Sequence, residues 1–240
     1  AGAVLGAANA VEPPVADKPV IGMMSLGSSC LKYMKHLRDP LQERGFEVAV
    51  FHATGMGGRA FESLAAQGAF ACVFDFCTQE LGNHINGSNI SAGADRLTNA
   101  GKNGTPQIVA PGCYDLVDFV GWLPLPKRLE GKQVHAHNRL LSSAVTDASE
   151  RVEVAQVICE KLSGAQGPTE IILPLEGCNE WDREGADLHD AEGLAAFNGA
   201  MRKHVPSNAT LHELDAHIND KAFADKALEI VDRWIAEGVL

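Results

Sequence analysis

The residues of this chain best suited to chemistry stand in short polar clusters, each just past a β-branched or apolar run. The sharpest is Thr54-Gly55-Met56-Gly57-Gly58-Arg59. Glycines let the backbone approach a ligand closely, and a helix starting here presents free N–H groups and the positive end of its dipole. A phosphate or carboxylate suits such a turn. Arg59 would supply a counter-charge, Thr54 and Thr78 further donors, and Gly112 another close approach. The run is neither a P-loop nor the G-x-G-x-x-G fingerprint. It also reads as a tight strand-to-helix turn with no ligand.

His52, Glu80 and His217 are the candidate proton-moving groups, with Asp220 placed to orient a histidine. Asn219 or Asp220, in the polar turn His217-Ile218-Asn219-Asp220, is the expected N-cap of the helix that follows. Cys30 opens a predicted helix, where a thiol pKa tends to fall. It is either a nucleophile or a small buried hydrophobe. His135, His137, Asn138, Glu176 and Asn219 are the supporting set. His135 and His137 alternate along a strand, so at most one of them joins a given site. No histidine–carboxylate spacing of the H-E-x-x-H kind exists, and no metal is expected.

These clusters need elements to position them. Apolar runs at 20–26, 47–52, 71–76, 107–110, 133–137, 170–173 and 210–214 read as strands. Helices are predicted from Cys30 towards Arg44, with Pro40 as an interruption, and over 60–67, 94–100, 149–162, 194–204 and 221–237. The alternation predicts an α/β fold: a doubly wound, mostly parallel sheet of about seven strands in a Rossmann-like three-layer αβα arrangement. Ligands in such sheets bind beyond the carboxyl ends of the strands. Ser28, Ser29 and Cys30, the glycine turn, Thr78 with Glu80, and His217 to Asp220 all fall there.

The chain has 240 residues, enough for one large α/β domain. Its 20 basic and 31 acidic residues give a net charge of −11, with no basic run. That argues against nucleic acid or an anionic membrane as partner. No apolar run approaches the ~20 residues a spanning helix needs. The six cysteines include no C-x-x-C pair and read as reduced, which implies a cytoplasmic protein. Residues 1–17 read as the tail of a linking helix and a linker, and 18–240 as a single α/β domain.

Several stretches resemble, in order, the Tm-type ATP-binding family that includes the plant tobamovirus-resistance protein. They are Lys18-Pro19-Val20-Ile21-Gly22, then residues 51–60 (FHATGMGGRA), then 91–97 (SAGADRL). Pro111-Gly112 with Asp115, His135 with His137-Asn138, and His217-Ile218-Asn219-Asp220 with Ala222-Phe223-Ala224 continue the series. The family's proline-glutamate-glycine-glycine run stands here as Pro174-Leu175-Glu176-Gly177-Cys178. The resemblance implies that this is the C-terminal half of a two-domain architecture. It places ATP on the preceding N-terminal domain, so no cofactor is expected within these residues.

The leading expectation is an enzyme, or the catalytic half of one, acting on a small anionic metabolite by hydrolysis or lysis at the strand ends. The alternative is a nucleotide-linked binding or protein-interaction module, as the resemblance to the virus-resistance family implies. The expected partners are a small anionic ligand, an N-terminal domain or separate partner chain, and further copies of this chain in a homo-oligomer.

Overall fold

The alternation of apolar and amphipathic runs builds the elements in the order α1 (Gly2–Ala10), β1 (Val20–Ser25), α2 (Met34–Glu43), β2 (Glu47–His52), α3 (Met56–Ala66), β3 (Cys72–Asp75), α4 (Gln79–Ile85), α5 (Asn99–Lys102) and β4 (Gln107–Val109). There follow β5 (Leu116–Val120), β6 (Val134–Ala136), β7 (Leu141–Val145), α6 (Ala148–Leu162), β8 (Thr169–Pro174), α7 (Ala191–His204), β9 (Thr210–Leu214) and α8 (Lys221–Ala236). The computed structural model describes residues 2–10, 17–27 and 29–240. Ser28 and residues 11–16 of the expected linker lie outside the described residues.

Six strands form one parallel sheet in the order β2-β1-β3-β4-β8-β9. Strands β3 and β8 are buried along their whole length, as a sheet covered on both faces demands. Ile171 and Leu173 pack into the cluster made with α6 and α7, while Ile172 between them joins the cluster of α2 and α8. That alternation sets the helices on the two faces. The edge strands β2 and β9 are only partly covered. The expected class, a mostly parallel sheet flanked by helices, is the one found.

The strand count differs. Residues 133–137 do not enter the parallel sheet. They contribute β6 to a separate three-stranded antiparallel sheet, β5-β7-β6, whose other two strands the sequence reading left as connection. Val134 and Ala136 are exposed and His135 is half-buried, so this run lacks the two apolar faces of a central parallel strand. Short antiparallel pairing, which a hairpin can close, suits it better.

Two local expectations also change. The helix predicted over 94–100 is mostly turn, and the helical residues are Asn99–Lys102. Pro40 does not stop α2, which runs on to Glu43. The chain passes from β1 outward to β2 and then returns to place β3 on the other side of β1. The winding therefore reverses between β1 and β3, the position where such sheets open a crevice. No helix among the described residues is long and apolar enough to cross a membrane.

Candidate functional site

The glycine turn does hold an anion, and the anion is part of the chain. Glu80, fully buried, turns its carboxylate into the start of α3. Its Oε1 accepts from the Gly55 N–H at 2.6 Å and from the Gly58 N–H at 3.2 Å. A Cβ on Gly58 would stand 2.0 Å from Glu80 Oε2, and one on Gly57 would stand 1.8 Å from the His52 carbonyl oxygen. The glycines are thus required by Glu80 and by the close return of the chain after β2. Two of the amides expected to receive an external ligand are already occupied. Arg59 is exposed and donates to the Ser91 carbonyl at 3.0 Å, away from the turn. Thr54 Oγ1 reaches the His52 carbonyl at 3.4 Å.

Glu80 is held on its other side by Arg96, a fully buried guanidinium whose Nε donates to Oε2 at 2.8 Å. Arg96 also makes a two-pronged pair with Asp75, meets Glu62 at 3.4 Å and donates to the Cys77 carbonyl at 2.9 Å. Burial raises the carboxyl pKa of Glu80 and of Glu62 above the usual range, and the single guanidinium only partly offsets this. Glu80, expected as a proton-moving group, is therefore a clamp between α3, α4 and the loop carrying Arg96, with both carboxylate oxygens already engaged.

His217 is likewise committed. Its ring has no exposure. Nδ1 accepts from the Asn219 N–H at 3.0 Å, so the proton of the neutral ring sits on Nε2. Nε2 donates to Asp182 Oδ1 at 2.9 Å and to the Asn179 carbonyl at 2.8 Å. The carboxylate partner of the ring is Asp182, not Asp220. Asp220 accepts instead from the backbone N–H of His217 at 3.0 Å and pairs with Arg183 at 2.7 Å. Burial raises its pKa, but the Arg183 and His217 contacts outweigh it and hold the carboxyl below the usual range. It occupies the N-cap position of α8 without bonding that helix's amides, which corrects the expected cap. Asn219 spans to the loop after β1, accepting from the Lys32 N–H and donating to the Ser29 carbonyl.

The remaining expected residues divide. Cys30 is fully buried and precedes α2 by a turn, so the helix start that was to activate it lies elsewhere. Thr78 is buried, and its hydroxyl has no partner among the described residues. Gly112 lets Phe76 approach, since a Cβ there would lie 2.2 Å from the Phe76 carbonyl oxygen. Asn138 closes the β6–β7 hairpin by accepting from the Leu140 and Leu141 N–H groups. Glu176 is exposed on a different face of the loop after β8.

A small cleft opens at the switch point between β1 and β3. Its polar lining is Ser29, His52, Thr54, Gln79, Asp118, His137, Ser143 and Trp181, over an apolar floor of Leu26, Leu116 and Leu141. His52, Thr54 and His137 are residues the sequence reading proposed; the fold brings them to one place. His52 lies over the turn after β1, where a Cβ on Gly27 would stand 3.4 Å from its Nε2. Trp181 packs beside His135 and His137, with ring centroids 4.5 and 6.1 Å away.

Asp118 is the group that was missed. It is buried on β5, accepting from Ser143 Oγ at 2.6 Å and from Gln79 Nε2 at 3.0 Å. Burial pushes its pKa up to about 6; the Ser143 and Gln79 hydrogen bonds and the nearby His137 pull the other way, while Cys77 adds to the rise. A carboxyl poised there exchanges protons near neutral pH. Gln79 Oε1, also buried, has no partner among the described residues. The signal was present in the run Leu116-Val117-Asp118-Phe119-Val120, where one acid interrupts an apolar stretch.

Residues 18–235 match the model of the Uncharacterised protein family (UPF0261) C-terminal domain. A UPF0261 protein of Brucella melitensis is 52% identical over 239 residues, covering 100% of this chain and 57% of that protein. The chain thus spans little more than half the length of that relative. The ToMV resistance protein Tm-1(GCR237) of Solanum lycopersicum is 28% identical over 211 residues, 87% of this chain and 28% of that protein. The resemblance to the tobamovirus-resistance family is therefore borne out. Among solved structures, the thioesterase domain from the curacin biosynthetic pathway is a distant likeness, at 11% identity and a TM-score of 0.40 over 91% of this chain and 92% of its own. By the span and order of the match, the chain belongs to the UPF0261 family, through its C-terminal domain.

Proposed function

We propose that this domain is an acid–base enzyme, or the catalytic half of one, that acts on a small anionic metabolite by hydrolysis or lysis in the switch-point cleft. The observation that carries this reading is the meeting of Asp118, buried and titrating near pH 6, with the exposed imidazoles of His52 and His137 along one cleft. Hydrolysis and lysis both need one group to protonate a leaving atom and another to take a proton from water or from the substrate. Asp118 is suited to the first role and either imidazole to the second. A substrate carboxylate or phosphate would sit against the two imidazoles, with Ser29 and Thr54 as further donors. The free Gln79 Oε1 would accept from a substrate hydroxyl or amine.

The test is a thermal-shift screen against small carboxylates and phosphorylated compounds, since a ligand of the native state raises Tm with concentration. The expected hit stabilises the chain and loses its effect in His52→Ala and His137→Ala. A hit that stabilises both variants as well as the parent would place the site elsewhere.

A second reading, a binding module, draws on the exposed apolar side chains Trp122, Leu123 and Leu140 beside the small sheet. It predicts that Trp122→Ala weakens a protein contact while ligand stabilisation stays intact.

A further inference from the structure

Three of the six cysteines converge. Cys30 follows β1, Cys77 follows β3 and Cys113 follows β4, and these three strands are neighbours in the sheet. Their sulfur atoms lie within 4.8 Å of one another, and all three residues have no exposure. The other three are dispersed: Cys72 meets the Val73 carbonyl, Cys159 the Met201 sulfur and Cys178 the Asp115 carboxylate.

Buried thiols often serve as small hydrophobes. Two features separate this cluster from that role. Cys113 adopts φ +54, a left-handed conformation a side-chain-bearing residue takes at a cost of about 1–3 kcal/mol. Beside it, Gly112 lets the segment come so near that a Cβ would stand 3.1 Å from Cys30 Sγ. The left-handed turn at Cys113 and the close approach at Gly112 thus both lie where the three sulfurs meet.

We propose that Cys30, Cys77 and Cys113 form a binding site for a thiophilic d10 metal ion, Cu(I) or Zn(II), at the carboxyl ends of β1, β3 and β4. Thiolates select these soft ions over hard ones. Three sulfurs complete a trigonal shell for Cu(I). Zn(II) would need a fourth donor, and none joins the three among the described residues. Each Sγ–H bond breaks as its metal–sulfur bond forms, its proton is released to solvent, and no electrons move because the ion keeps its charge. Burial raises the Cys30 pKa, but its thiol neighbours Cys113 and Cys77, with the backbone at Leu26 and the Tyr33 hydroxyl, outweigh it and bring the pKa well below the usual thiol value. Cys77 and Cys113 are driven up, chiefly by burial.

The second group of possible ligands, Asp115, Cys178 and Asp182, differs in kind. Asp115 already accepts from Asn179 Nδ2 and Cys178 Sγ, and Asp182 from two backbone amides and the His217 ring. It is a satisfied network and needs no ion.

The experiment is an anaerobic titration of the reduced, metal-stripped protein with Cd2+, a spectroscopic stand-in for both ions, followed by thiolate-to-metal charge transfer in the ultraviolet. The expected result is one ion per chain, loss of the band in Cys77→Ser and Cys113→Ser, and retention in Cys159→Ser. Competition by Cu(I) or by Zn(II) then identifies the ion. Should the serine variants misfold, the parent decides: at a denaturant concentration where the metal-free thiols alkylate, bound Cd2+ should protect Cys30, Cys77 and Cys113. A missing band, a band that survives Cys77→Ser, protection of other cysteines, or a disulfide within the trio that re-forms in place of metal uptake would each overturn the proposal.

Discussion

Glu80 and Arg96 form a fully buried ion pair, Oε2 to Nε at 2.8 Å, and the other oxygen of the same carboxylate fills the amide cradle of Gly55 and Gly58. The turn that looks most like a ligand site is thereby part of the scaffold. It locks the start of α3 to α4 and leaves the neighbouring cleft as the open space at the strand ends.

Glu80→Ala should cost about 1–3 kcal/mol of unfolding free energy, because the buried Gly55 and Gly58 N–H groups lose their acceptor while Arg96 keeps its pair with Asp75. Urea denaturation of parent and variant measures it. The emptied cradle should then accept formate or acetate, so that either salt raises the Tm of the variant and leaves the parent unchanged. A variant as stable as the parent would mean that the pair does not hold α3.

Asp118 makes stability fall as pH rises. Its folded pKa of about 6 lies above the ordinary 3.8, so the native state holds the proton more tightly than the unfolded chain. The difference accumulates between those two values and amounts to about 3 kcal/mol at pH 7. Burial drives the rise, Cys77 adds to it, and Ser143, Gln79 and His137 oppose it. Asp118→Asn keeps an acceptor for Ser143 and Gln79 but has nothing to titrate. Its stability relative to the parent should therefore increase from about pH 4 to about pH 6 and level off above that. A constant difference across that range would show that Asp118 is already ionised at pH 4.

His217→Ala should destabilise by about 2–4 kcal/mol, because the Asp182 carboxylate and the Asn219 N–H lose their partner together. His217→Gln should recover part of that loss. Native stability with abolished ligand response would instead return His217 to the chemistry.

The central strands of the parallel sheet, β1, β3, β4 and β8, were legible because each is a short, mostly apolar run between polar turns, and burial on both faces leaves that mark. Strands β5 and β7 were not, since Ser143 and Asp118 break the apolar pattern for reasons that lie in the cleft. His52, Thr54 and His137 were found by the rule that chemistry gathers past strand ends. Glu80 and His217 obeyed the same rule and proved structural, because the rule locates a residue without stating which way its polar atoms are already bonded.

By itself the sequence determined the class of fold, the family and the end of the sheet where polar groups collect. The fold class and the polar end of the sheet follow from local periodicity and turn chemistry, and the family from the resemblance of several motifs, all of which the chain carries in short windows. Only the tertiary structure decided which of the polar groups are free. Glu80 meets Gly55 25 residues away, and His217 meets Asp182 35 residues away. The three thiols come from three different loops. Such partnerships depend on strand order and on how closely loops pack, and no window of sequence holds both partners.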